Sequence, residues 1–327
     1  MMNIPDFWAE ASGLFHRGTK QITVRRLGWS NESEEAALLM AQARVNEAVE
    51  QLSRGEKTAL RERNSAYNGA TGMPIREEVL SRHGEEVITR NGYGAHCLNS
   101  PRALFADIDF KISAVSRKTG ILFFILLLLS IGLGFYLFDH GWLSAVVVVA
   151  SIYLSYRIVI RYDDYILSKQ PDPVDIAKDN LYVFLKQHPQ WSVRLYRTPN
   201  GLRLLATHQT FQPDCSKVQE FFAHIGADPI YVQMCLRQNC FRARLTAKPW
   251  RMGIEARMNQ RRGWPIEPQQ REYRQQWVRD YDQRTQKFAA CHFIESIGAG
   301  VIAPELAPII DLHDRESQAM RSELEMG

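Results

Sequence analysis

Two aspartates one residue apart, Asp107 and Asp109 in the segment Leu-Phe-Ala-Asp-Ile-Asp-Phe (104–110), are the first residues whose type and spacing could do chemistry. On an extended strand successive side chains alternate between faces, so both carboxylates project from one side while Ala106, Ile108 and Phe110 take the other. Like charges so close repel, and a divalent cation offsets that cost. Hard oxygen ligands suit Mg²⁺ or Mn²⁺, which in turn organise a polyphosphate. The competing readings are a solvated strand face and carboxylates paired with nearby arginines.

The second constellation is Cys-Phe-Arg-Ala-Arg-Leu-Thr-Ala-Lys-Pro-Trp-Arg, residues 240–251. Arg242 and Arg244 share one face of a predicted strand, and Lys248 and Arg251 follow in a proline-limited turn. Arginine's planar fork grips phosphate or carboxylate oxygens in pairs, so the cluster suits either a phosphate ligand or the protein's own acids. Asp107 and Asp109 could themselves be those acids, making the two constellations one active centre or one ion-pair network. Arg203, on a predicted hairpin strand with Thr207 on its face and His208 opposite, joins the candidate phosphate contacts.

From Arg237 to Lys287 thirteen Lys and Arg stand against five Asp and Glu, with Trp250, Trp264, Tyr273, Trp277 and Tyr281 interleaved. Basic charge with aromatics can hold a nucleic-acid backbone and stack bases. Aromatics at three-to-four spacing on a helix also serve as core, and positive charge also suits an anionic leaflet. Five cysteines form no Cys-x-x-Cys pair, and the approach of Cys235, Cys240 and Cys291-His292 lacks zinc spacing, so reduced thiols are expected. Asp311 and Asp314 lie one turn apart near the C-terminus and read as a helix end.

The elements that must position these groups alternate between strands and helices. A strand over 21–29 leads to a helix capped near Ser30-Asn31 and running to Ser53. A short helix is expected near 74–82, a strand near 87–90 and a clear strand over 103–110. A helix over 172–188 precedes a β-hairpin at 191–208, whose Thr198-Pro199-Asn200-Gly201 turn places Gly where positive φ is expected. Helices near 214–225, 229–238 and 268–289 and a strand at 241–246 complete the pattern, and a last helix starts at Pro304.

Two apolar runs interrupt this order, Ile121–Phe138 and Trp142 to about Ile160. Eighteen helical residues rise about 27 Å, enough for the hydrocarbon core. Arg117, Lys118, Arg157 and Arg161 flank the runs while the connecting turn holds Asp139 and neither Lys nor Arg, which predicts both flanks, and both termini, on the cytoplasmic side of a bacterial inner membrane. The alternative is a buried helical pair inside a soluble protein. The expected organisation is a first cytoplasmic segment (1–116), a transmembrane helical hairpin (117–161) and a second segment (162–327) completing a single α+β domain. With 45% hydrophobic residues and a net charge of +4, the chain is neither disordered nor a cationic nucleic-acid tail.

The order Asp107-x-Asp109, then Thr198-Pro199-Asn200-Gly201-Leu202-Arg203, then Phe241-Arg242-Ala243-Arg244-Leu245 resembles the catalytic core of the archaeo-eukaryotic primase superfamily. The resemblance implies an RRM-like α+β domain in which Asp107 and Asp109 bind divalent metal and Arg242, Arg244 or Lys248 contact phosphate. The hairpin histidine of that family is matched by Arg203, with His208 displaced, and Asp311 or Asp314 would supply a third acid. Two functions are therefore expected. The first is a membrane-anchored domain binding Mg²⁺ or Mn²⁺ with nucleotide or nucleic-acid phosphate, for phosphoryl or nucleotidyl transfer. The second is a non-enzymatic membrane scaffold or sensor whose acids are neutralised by Arg242 and Arg244.

Overall fold

In a computed structural model, all residues except 1, 3, 63–72, 111–116, 137–141, 169–171, 259–263, 265 and 267 are described. The chain divides into two units, Met1–Asp109 with Asn180–Gly327, and Phe110–Asp179. The first unit is α+β and discontinuous; its chain breaks off at Asp109 and resumes at Asn180.

Strands β1 (Phe7–Arg17) and β2 (Lys20–Ser30) form an antiparallel ribbon, and helix α1 (Glu34–Ser53) packs on it. The ribbon approaches the helix backbone at Gly28, where a Cβ would collide with the Ala37 carbonyl. The helix cap is Ser33, whose Oγ accepts from Ala36 N–H at 3.1 Å. Ser30, expected to cap, instead accepts from Glu32 N–H in the turn just before.

Strands β3 (Glu78–His83), β4 (Glu86–Arg90) and β5 (His96–Ser100) run antiparallel, with β9 (Phe241–Arg244) completing the order β3-β4-β5-β9. A helix was expected near 74–82. Gly84, at φ 65°, turns the chain there into the fully buried β4, so pairing with that strand overrides local helix propensity.

The second four-stranded sheet has the order β11-β7-β8-β6, built from β6 (Phe105–Asp109), β7 (Ser192–Thr198), β8 (Gly201–Ala206) and β11 (His292–Gly298). All its pairs are antiparallel, and β6 also lies alongside β9 of the first sheet. Gly201 pairs with Asp109 and does not adopt positive φ. A Cβ there would collide with the Ile108 carbonyl, so close backbone approach, not turn conformation, requires glycine.

Helices α4 (Pro173–Gln187) and α5 (Ser216–Ile225) contribute Phe184 and Phe221 to a ring cluster with Trp191. Helix α6 (Pro229–Gln238) is tied to β6 by Tyr231 Oη donating to the Phe105 carbonyl at 2.8 Å. Helix α7 (Arg271–Thr285) turns Trp277 and Tyr281 into a small core with Ala95, Ala247 and Met252. Two-residue strands β10 (Phe288–Ala289) and β12 (Glu325–Met326) pair in parallel, and α8 (Ala307–Ser317) lies between β11 and β12 in the chain.

The second unit contains α2 (Arg117–Tyr136) and α3 (Trp142–Ser168), which pack on each other; a Cβ at Gly134 would lie 2.5 Å from Val148 Cγ2. In α3 the window Ala145–Tyr162 is long and apolar enough to cross a membrane, with a mean hydropathy of 1.5 and only 11% buried. The apolar part of α2, Gly120–Gly134, is shorter. Thus, among the described residues, one helix rather than the expected two meets the length of a span. The turn Asp139–Gly141 lies outside the described residues. Phe124, Leu128 and Leu129 are about two-thirds exposed, unlike a helical pair buried inside a soluble core.

Candidate functional site

Strand β6 presents Asp107 opposite Arg203 of β8, and the two side chains meet in a fork: Arg203 Nε donates to Asp107 Oδ1 at 2.8 Å and Nη2 to Oδ2 at 3.1 Å. The Arg203 side chain is almost wholly buried, whereas that of Asp107 is 32% exposed. Burial alone would lower the Arg203 guanidinium, but the Asp107 charge and hydrogen bonds outweigh it and the net shift is upward. Arg203 Nη1 donates to the Arg244 carbonyl at 2.7 Å and sits 3.4 Å from His313 Nε2. Arg203 is thus a partner of an internal acid.

Arg242 is consumed in the same way by an acid that sequence reasoning missed. Its Nη2 lies 2.6 Å from Glu77 Oε2, and both side chains are buried. Glu77 fell within the segment read as a helix, and nothing in its neighbourhood marked it as the partner of a residue 165 positions away.

Asp109 is exposed, and its carboxyl is pushed upward by desolvation and by the charges of Asp107 and Asp228, with Lys248 and Arg251 opposing. Lys248 and Arg251 are both shifted downward, by desolvation first and then by repulsion from Arg244 and, for Lys248, from Arg251. Arg251 Nη2 donates to Asn200 Oδ1 at 2.8 Å, which joins the 3₁₀ turn at 249–252 to the β7–β8 turn. Lys248 Nζ stands 5.5 Å from the Trp250 ring centre, and Tyr93 packs edge-on against Trp250 at 5.4 Å. Arg244 Nη1 donates to the carbonyls of Thr246 at 2.5 Å and Gly327 at 3.0 Å.

The five predicted phosphate contacts therefore separate into two groups. Arg203 and Arg242 serve internal carboxylates, Lys248 and Arg251 lie near Asp109, and Arg244, bonded to main-chain carbonyls, lies near those two cations. Trp277 and Tyr281, two of the five interleaved aromatics, are core and closed to base stacking.

Asp107 fits a metal poorly, because Arg203 engages both of its oxygens. The two acids offered as a third ligand lie elsewhere on α8. Asp311 is exposed, and Asp314 accepts from Arg194 Nη2 at 2.5 Å and Tyr196 Oη at 2.8 Å, with His313 Nδ1 at 3.0 Å. Among the described residues no three His, Cys, Asp or Glu side chains are grouped to hold a metal ion. His208 receives the Ser192 N–H at Nδ1 and packs against Trp191 and Phe211, and burial lowers its pKa. Cys235 and Cys240 are buried thiols pushed up by desolvation, Cys240 to about 12. Cys291 instead moves downward, because its contact with His313 outweighs its burial.

The Asp314 network predicts a pH dependence. Desolvation would raise the Asp314 carboxyl, but hydrogen bonding and charge from His313, with Arg194, hold it below the ordinary range. A depressed carboxylate contributes its stability above the unfolded value of about 3.9 and loses it as pH falls through the folded value. Asp314→Asn should therefore destabilise by about 1.5–3 kcal/mol at pH 7, and the difference from the parent should shrink below about pH 4. Denaturant titrations at pH 7 and pH 3.5 check this; an equal difference at both would count against it.

No family model, curated protein or solved structure matches the chain.

Proposed function

We propose that the chain is a membrane-anchored α+β module that binds a ligand without transforming it, held at a bacterial inner membrane by α3 with α2 packed along it. The observation that carries this reading is the fork between Arg203 and Asp107, which neutralises the acid a metal-dependent transferase would need open. The exposed apolar surface of α2 and α3 supports the lipid bilayer as partner, and the basic residues Arg157 and Arg161 support cytoplasmic flanks.

A second reading keeps one observation in its favour. The Asp109 carboxyl is pushed up by desolvation and then by the charges of Asp107 and Asp228, and a divalent cation with a nucleotide would relieve that repulsion. The order strand, helices, two strands, helices, strand (β6, α2 to α4, β7, β8, α5 and α6, β9), with β6 paired to β8 and lying alongside β9 of the other sheet, also suits the RRM-like primase resemblance.

Calorimetric titration of Mn²⁺ with nucleoside triphosphate into the detergent-solubilised full chain separates the two. The module reading expects metal-dependent heat to be absent, or unchanged in Asp109→Ala. Metal-dependent binding abolished by Asp109→Ala, or turnover of the triphosphate, would overturn it. A reporter fused at the C-terminus should be active only on the cytoplasmic side.

A further inference from the structure

We infer that Lys248 and Arg251, with Arg244 behind them and Trp250 beside, form a metal-free site for a phosphate group. This rests on the reading of the chain as a membrane-anchored binding module and names what that module takes.

The argument starts from donors. Among the described residues Lys248 and Arg251 make no ion pair, and Asn200 is the one polar side-chain partner of Arg251. An ammonium carries three N–H groups and a guanidinium five, so most of this donor capacity is uncommitted. The same stretch commits Arg242 to the buried carboxylate of Glu77, whereas Lys248 and Arg251 have the exposed Asp109 nearby and make no ion pair with it.

The cluster also carries stored repulsion. Desolvation, then the charges of Arg244 and Arg251, push the Lys248 ammonium down; desolvation, then Arg244, push the Arg251 guanidinium down; and the acid within reach, Asp109, is itself pushed up by desolvation and by Asp107 and Asp228. An incoming dianion relieves the first repulsion without creating a buried charge. Asn200 fixes Arg251 in place, which lowers the entropy lost on binding, and the 56% exposed Trp250 ring offers an apolar face to whatever carries the phosphate.

Two sources share this chemistry, a lipid headgroup phosphate and a soluble phosphate. The site borders Asp109, after which seven residues, 110–116, lead to Arg117 at the start of the apolar helix α2.

The test uses the full chain in a zwitterionic detergent with EDTA. Inorganic phosphate and nucleoside triphosphate are titrated calorimetrically, and phosphatidylglycerol is compared with phosphatidylcholine by native mass spectrometry. The expected result is binding of at least one phosphate probe, weakened about tenfold by Lys248→Ala and about tenfold by Arg251→Ala, and retained in Lys248→Arg. Calorimetric binding assigns the soluble source, and phosphatidylglycerol adducts lost in the variants assign the lipid one. No binding by any probe, or binding indifferent to both substitutions, overturns the inference. Binding that demands Mn²⁺ and responds to Asp109→Ala alone overturns the module reading as well, so the two failures differ. Should either alanine variant misfold, Lys248→Gln and Arg251→Gln carry the same comparison.

Discussion

Asp107→Asn should lower the stability of the folded chain by about 3 kcal/mol, and Asp107→Asn with Arg203→Met should recover most of that loss. The single substitution leaves without its counter-charge an arginine whose side chain is 3% exposed, and removing one partner of a buried pair costs about 3–5 kcal/mol. Asp107 is itself about one-third exposed, so water reaches its carboxylate and the lower end of that range applies. The double substitution removes both charges, and a buried methionine keeps much of the arginine's packing volume. Denaturant unfolding of the four species closes a double-mutant cycle whose coupling term should exceed about 1.5 kcal/mol. The result bears directly on function. Acids crowded to hold a metal repel each other, and neutralising one of them stabilises the fold. A gain in stability for Asp107→Asn would return Asp107 to the candidate metal site and remove the main support for a non-enzymatic module.

The hairpin at 192–206 and the strand bearing Asp107 were legible because their signals are local: a Pro-Asn-Gly turn between alternating runs, and alternation around the two acids. Neutralisation of the acids by arginines was open from sequence, but with Arg242 and Arg244 as the partners, while Arg203 was read as a phosphate contact; the structure pairs Arg203 with Asp107 and Arg242 with Glu77. Choosing between metal and guanidinium requires the antiparallel register that sets residue 107 opposite residue 203. Strand β1 was missed because Phe-Trp-Ala-Glu-Ala-Ser-Gly carries small and polar residues that need α1 and β2 to make it a strand. The supposed helix near residues 74–82 failed for the reciprocal reason, since Gly84 and the buried β4 dictate pairing across a turn. Glu77 stood inside that misread segment, and so the acid that neutralises Arg242 stayed invisible. The apolar pair of helices was evident from composition; the end of the first run at Phe138 lies outside the described residues, in which α2 runs to Tyr136.

Glu77→Leu should be the most damaging single substitution outside the hydrophobic core, at about 3–5 kcal/mol, because both ends of its ion pair are buried. Glu77 Oε2 accepts from Arg242 Nη2 at 2.6 Å and from Thr89 Oγ1 at 2.7 Å, and Thr89 Oγ1 in turn accepts from Asn99 Nδ2 at 3.0 Å. Those residues sit on β9, β4 and β5, so one carboxylate ties the approach to β3 across the width of the sheet. Removing it strands a guanidinium and a hydroxyl together, and the desolvation of each is then uncompensated. Glu77→Gln keeps an acceptor for Thr89 but not the charge for Arg242, so it should fall between the parent and Glu77→Leu. The pair Glu77→Leu/Arg242→Met should be more stable than Glu77→Leu alone. Melting of the full chain in detergent reads all four, with Lys248→Ala as the control whose transition stays at the parental temperature. Equal losses for Glu77→Leu and Lys248→Ala would mean that both cations are held alike, and the division of the basic strand into a structural arginine and ligand-binding cations would fail.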